Sequence, residues 1–172
     1  LDMIADLTAE LASQFLQAGA GGIYYSAWGG ERRMMTDEQF EMHVKPKDLR
    51  VLEAVSGATV FNVLHICKPD TDLTRYRDYR PQVVNWASHG NGVSIEAGRS
   101  YFPEATILGG ISTTDPALHG EDSQAAADLA RTVIDSLSDR RRFILGADCA
   151  LPMSTPEANI RAAARVAHEY PV

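Results

Sequence analysis

The 172-residue sequence predicts an α/β fold built on a parallel sheet. Three observations lead there. About five short apolar runs recur along the chain, most are separated by segments of helical periodicity, and the chemistry-bearing side chains cluster where those runs end. Alternation of this kind is what a parallel sheet with crossover helices requires. One domain, residues 1–172, is the expected organisation for this length.

Residues 2–18 set Ile4, Leu7, Leu11, Phe15 and Leu16 at helical spacing, and Gly19 stops the helix. Gly21–Trp28 is a short aromatic strand closed by Gly29-Gly30. These glycines are no dinucleotide fingerprint, because they precede the strand instead of leading from it into a helix. Thr36 caps a helix with Gln39 in the capping-box position. That helix stops near Val44 because Pro46 disfavours helix in the residue before it. A second helix spans about Lys47–Val55, and Gly57 leads into a strand over Thr59–Cys67. Asp70–Tyr76 is a short helix or loop, Pro81–Ala87 a strand, and Val93–Arg99 a lead-in to the strand Thr106–Ser112. Asp122–Leu137, with Ala126, Leu129, Val133, Ile134 and Leu137 at helical spacing, is the clearest long helix. The strand Phe143–Ala147 follows, and Thr155-Pro156-Glu157 opens the last helix, with Thr155 as cap and Pro156 in its first position.

Composition narrows the function. With 45% hydrophobic and 23% charged residues the chain is an ordinary globular one. Its net charge of −7 opposes nucleic-acid binding, which needs clustered cations. The cluster Arg140-Arg141-Arg142 reads as a solvated loop edge. No apolar run reaches the roughly 20 residues of a membrane helix, so no membrane partner is expected. The start lacks the basic lead and apolar core of a signal peptide. A first residue other than Met suggests a start inside a longer chain. Two cysteines make no disulfide framework, which favours a reducing, cytoplasmic setting with free thiols.

Those thiols matter for chemistry. Side chains two apart in a strand leave on one side, so His65 and Cys67 share a face, and Cys149 closes a second strand of the same polarity. One imidazole and two thiolates at neighbouring strand ends form a recognised zinc ligand set with a position left for substrate. The plainer alternative is a structural histidine and two small buried residues. His89, at the end of the third strand, is a candidate pocket residue. Asp148 and Glu96 are candidate general acids or partners that orient His65. Tyr24, Tyr25, Trp28 and Trp86 are candidates for an aromatic wall, or for core. His43, His119 and His168 carry less information, being placed in helices or a loop.

The segment Ile144–Ile160, a glycine-bearing strand end followed by Pro152, Thr155-Pro156 and Asn159, resembles the carboxyl-terminal signature of the uroporphyrinogen decarboxylase superfamily. His65-Ile66-Cys67 with distant Cys149 is similar to the His-x-Cys and downstream Cys zinc motif of its branch of methylcobamide:thiol methyltransferases, the coenzyme M type. The resemblance implies the carboxyl-terminal half of a (β/α)8 TIM-like barrel. It also implies zinc on His65, Cys67 and Cys149, a small thiol substrate, and a corrinoid (methylcobamide) carried by a partner corrinoid protein. Tyr24, Trp28 and Trp86 would then line the cofactor side, with Asp148, Glu96 and His89 as catalytic candidates. Two departures stand out. Lys68 replaces the glycine that usually follows the His-x-Cys unit, and Ala147-Asp148 stands where the decarboxylase branch has a histidine. Two other readings are a metal-free tetrapyrrole decarboxylase and a non-catalytic half-barrel that pairs with another copy or with a missing amino-terminal half.

Overall fold

The computed structural model describes residues 1–57 and 59–170. Five strands, β1 (Tyr24–Ala27), β2 (Val63–Ile66), β3 (Val83–Trp86), β4 (Thr106–Ile111) and β5 (Phe143–Ala147), form one sheet in the order β1-β2-β3-β4-β5. Every neighbouring pair is parallel. A sheet whose strands sit side by side in chain order lacks the order reversal of a doubly wound fold. It is the arrangement of a (β/α) barrel, here with β1 and β5 as free edges among the described residues.

Helices supply the second layer. These are α1 (Asp2–Gln17), α2 (Asp37–His43), α3 (Lys45–Val55), α4 (Ser88–Asn91), α5 (Ile95–Gly98), α6 (Pro116–His119), α7 (Ser123–Asp135) and α8 (Glu157–Glu169). A 3-10 turn over Leu73–Tyr79, capped by Asp72, settles the ambiguous polar stretch. Leu64, Ile66, Val84, Trp86 and Ile107 point from the sheet into the helix layer and are almost wholly buried. Their strand neighbours Val63, His65, Val83 and Asn85 leave on the opposite, inner face, where Tyr24 and Ile144 are exposed. A second apolar cluster, Ala126, Ala130, Ala162, Ala163 and Val166 with Ile111, joins α7 and α8 to the end of β4.

Local signals explain most boundaries. Thr36 and Gln39 form the expected capping box, with reciprocal bonds of 3.3 and 2.9 Å. Pro46 does not separate α2 from α3 by a loop; it sits in the first turn of α3, which begins at Lys45, where a proline costs nothing. The helix expected over residues 2–18 is present as α1, but its apolar stripe does not face this chain's core: Ile4, Leu7, Leu11 and Phe15 are exposed, while Ala5 and Ala12 are buried. Helical periodicity identifies an apolar face but not what covers it, and α1 lies on α3 rather than on the sheet. The second strand is shorter than Thr59–Cys67, for Val60 and Phe61 stay outside the sheet and exposed. Thr155 does not cap α8, because Pro156 holds the cap position and helix begins at Glu157.

A buried carboxylate ties the layers together. Asp48 of α3 accepts the hydroxyls of Tyr25 at 2.6 Å and Tyr79 at 2.8 Å. Burial pushes the Asp48 carboxyl above its usual range, and the two phenols oppose this. A carboxyl raised in the folded state contributes stability in its protonated form. That contribution is complete below about pH 4 and is lost as pH rises through the folded value. The Asp48→Asn variant should therefore lose less stability than the parent between pH 4 and neutrality, measured by urea midpoints. Parallel profiles would mean that Asp48 is not the source.

Candidate metal centre

His65 lies in β2, buried on the inner face. Cys67 follows the strand directly, and its amide donates to the Ala27 carbonyl at 3.2 Å. Pairing with β1 thus runs one step past Ile66 and keeps Cys67 on the side of His65, as alternation expects. Cys149 comes from across the sheet. Just beyond β5, the Asp148 amide donates to the Ile111 carbonyl at 2.8 Å, which extends the β4–β5 pairing and brings the thiol in. Nε2 of His65 lies 3.8 Å from Sγ of Cys149, and the ligand atoms of His65, Cys67 and Cys149 all fall within 4.8 Å of one another. Donors of a tetrahedral zinc site with bonds of 2.0–2.3 Å stand about 3.5–3.8 Å apart. The trio fits such an ion with small rotations of the sulfur arms.

Electrostatics agree with the geometry. Burial moves the His65 pKa below its ordinary value, against an opposing hydrogen bond to Asn85 and the charge of Asp148. The imidazole is thus held neutral, the form that ligates metal. Burial and the neighbouring Cys149 push the Cys67 thiol up, while the Lys68 backbone amide and charge pull it down. Two adjacent thiols resist joint ionisation until a cation joins them. Lys68, standing where the resemblance expects glycine, has φ of 84°. It occupies the left-handed region that glycine enters without strain, and its ammonium lies 4.3 Å over the Trp28 ring.

The other candidates divide by position. Tyr24 belongs to the centre: its ring lies 5.6 Å from the His65 ring, and its hydroxyl donates to Asn85 Oδ1 at 2.9 Å. Trp28 stands exposed at the rim, its indole nitrogen donating to Ser26 Oγ at 3.2 Å. Asp148 and His89 meet at the same rim, with their polar atoms turned to backbone. The Asp148 carboxylate accepts the amides of His89 (3.3 Å) and Thr113 (3.1 Å), and the His89 ring donates from Nε2 to the Gly110 carbonyl at 3.0 Å. These contacts bind three loops at the carboxyl ends of β3, β4 and β5. Trp86 is a correction. It pairs with Ile66 on the helix-covered face, donates to the Val93 carbonyl, and has no path to the centre. Glu96 is another, since it accepts the Ser138 amide at 3.0 Å beside the amino end of β5, opposite to the end that carries Cys149. Residue spacing alone does not single out Asn85, which is fully buried, in register with His65, and 2.5 Å from its Nδ1. Its signal is present in the chain: one amide in the run Val83-Val84-Asn85-Trp86.

No helix among the described residues is long and apolar enough to cross a membrane. Among curated proteins the chain is similar to the methylcobamide:CoM methyltransferase MtbA of Methanosarcina mazei, with 26% identity over 172 aligned positions that cover 99% of this chain and 48% of that one. It therefore spans about half the length of that relative. Among solved structures it superposes on a methyltransferase from Methanosarcina mazei with a TM-score of 0.74 at 19% identity, over 96% of this chain and 47% of the other. The five parallel strands and their helices thus make up about half of such a barrel. The family model for uroporphyrinogen decarboxylase (URO-D) matches residues 1–170, and the chain belongs to that family.

Proposed function

We propose that this chain carries the metal centre of a methyl transfer from a corrinoid to a small thiol, with zinc held by His65, Cys67 and Cys149. One observation carries the reading: three soft donors from two distant strand ends lie within 4.8 Å of one another. A relative whose name specifies methylcobamide and CoM supports the same chemistry. When bound there, zinc supplies the Lewis acidity that lets a thiol acceptor bind as thiolate near neutral pH. The chain's own residues do the rest. His65 offers a neutral nitrogen, and the Cys67 and Cys149 thiols give up their protons as the ion enters. Tyr24 and Trp28 wall the inner face from which a corrinoid on a partner protein approaches. Asp148, through the amides of His89 and Thr113, holds the loops that frame that approach.

Metal analysis of the purified, reduced chain tests this. About one zinc per chain is expected for the parent and little or none for Cys67→Ser and Cys149→Ser, because a three-residue site tolerates loss of no ligand. Undiminished metal in both variants, or turnover of a methylated corrinoid and a thiol after complete metal removal, would overturn the reading.

A further inference from the structure

We propose that Asn85 is a positioning residue of this centre, selecting the His65 tautomer that carries its proton on Nδ1 and leaves Nε2 bare toward Cys149. The inference rests on the reading of His65, Cys67 and Cys149 as metal ligands.

The orientation of the Asn85 amide follows from its neighbours. On one side lie the backbone carbonyls of Leu108 at 2.7 Å and Ala147 at 3.1 Å. Carbonyls only accept, so the amide nitrogen faces them and both of its N–H groups are used. A flipped amide would set its oxygen against two carbonyl oxygens in a site with no solvent exposure, an arrangement burial makes costly. Oδ1 therefore faces the other way, toward the Tyr24 hydroxyl at 2.9 Å and His65 Nδ1 at 2.5 Å. An amide oxygen only accepts, so Nδ1 must be the donor. A neutral imidazole carries one ring proton, and placing it on Nδ1 empties Nε2. That nitrogen is the one 3.8 Å from Cys149 Sγ. In the opposite tautomer the proton would occupy the position of the ion.

The position of Asn85 in the sheet makes this setting rigid. Asn85 belongs to β3, and it bonds to Tyr24 of β1, His65 of β2, Leu108 of β4 and Ala147 at the end of β5. One side chain of β3 thus bonds to each of the other four strands, and the orientation of the imidazole is referred to the whole sheet. Partners of this kind, which fix a ligating histidine through its second nitrogen, typically change metal affinity 10–100-fold when removed.

Two variants separate positioning from simple support. Asn85→Leu and Asn85→Asp both remove the donors to Leu108 and Ala147, yet only Asp keeps an acceptor for Nδ1–H. Zinc affinity, measured on the full reduced chain by competition with a chromogenic chelator, should fall about 10–100-fold in Asn85→Leu and clearly less in Asn85→Asp. A role confined to holding the backbone would lower both alike. Nitrogen-15 spectra of the zinc-free parent give a readout independent of the variants' folding. With the His65 signals assigned by their loss in His65→Gln, Nδ1 should carry the proton and Nε2 should not. Equal losses in the two variants, or a proton on Nε2, would overturn the role of Asn85 while a zinc-binding parent leaves the metal centre standing. A parent that binds no zinc would overturn the metal reading itself, whichever tautomer is seen.

Discussion

Zinc at about a thousand times its dissociation constant is expected to stabilise the parent chain by about 4 kcal/mol, because a ligand that binds only the folded state adds RT ln(1 + [L]/Kd) to the unfolding free energy. The three donors come together only when β2 and the end of β5 are both in place, so the folded form is the one that binds. Melting curves of the reduced chain with zinc and with excess chelator give the measurement. Cys149→Ser should melt at the same temperature in both conditions. An equal zinc response in parent and variant would place the ion elsewhere. The effect is large against an ordinary domain stability of 5–15 kcal/mol, so the absence of a shift would be plain.

Trp86→Ala should lose about 3–5 kcal/mol of stability, the usual cost of emptying a large aromatic site in a core. Trp86 is 2% exposed, its ring meets Phe102 at 6.4 Å, and its indole N–H is bonded to the Val93 carbonyl at 2.9 Å. Gly98 has no side chain for a reason visible here: a Cβ at that position would stand 2.2 Å from the ring. The helix α5 packs directly on the indole, and alanine would leave a space that a short rigid turn cannot close. A lowered urea midpoint with unchanged slope, followed by circular dichroism, is the expected observation. A loss below about 1 kcal/mol would show that the helix layer repacks freely. Because Trp86 faces away from His65, zinc stoichiometry of the variant should be retained wherever it remains folded.

The contrast between Trp86 and its neighbour shows what the chain made legible. His65 and Cys67 could be placed together because two residues in a strand share a side whatever the sheet does. Cys149 could be added because it closes a run of the same polarity. Which face of β3 turns inward could not be read so easily, since Val83-Val84-Asn85-Trp86 is apolar on both parities apart from one amide. An aromatic residue suits either face of a buried sheet, and in this run the local mark of the inner face is the single amide of Asn85, which shares the parity of His65. Glu96 misled for a different reason: it lies in a short helix between strands, and only the bond to the Ser138 amide reveals that this helix sits at the far end of the sheet. The exposed face of α1 was legible as apolar, but its position on α3 depends on contacts that no local pattern encodes. The capping box of α2, by contrast, is wholly local and was read correctly from Thr36 and Gln39.

The separation of 84 residues between His65 and Cys149 bears on the order in which the molecule assembles. His65 and Cys67 are neighbours in sequence and can meet an ion as soon as β2 exists. Cys149 reaches them across β3, β4 and β5, because neighbours in the sheet follow chain order. Without β5 in place, His65 and Cys67 alone would offer an ion two points of attachment, and the third would come with β5. On the proposed zinc reading, capture of an ion by all three donors would follow the docking of β5 and make that docking harder to reverse. Parallel pairings of this kind form slowly, since each requires closure of a long loop first. An ion held by all three donors would act as a latch between β2 and the end of β5.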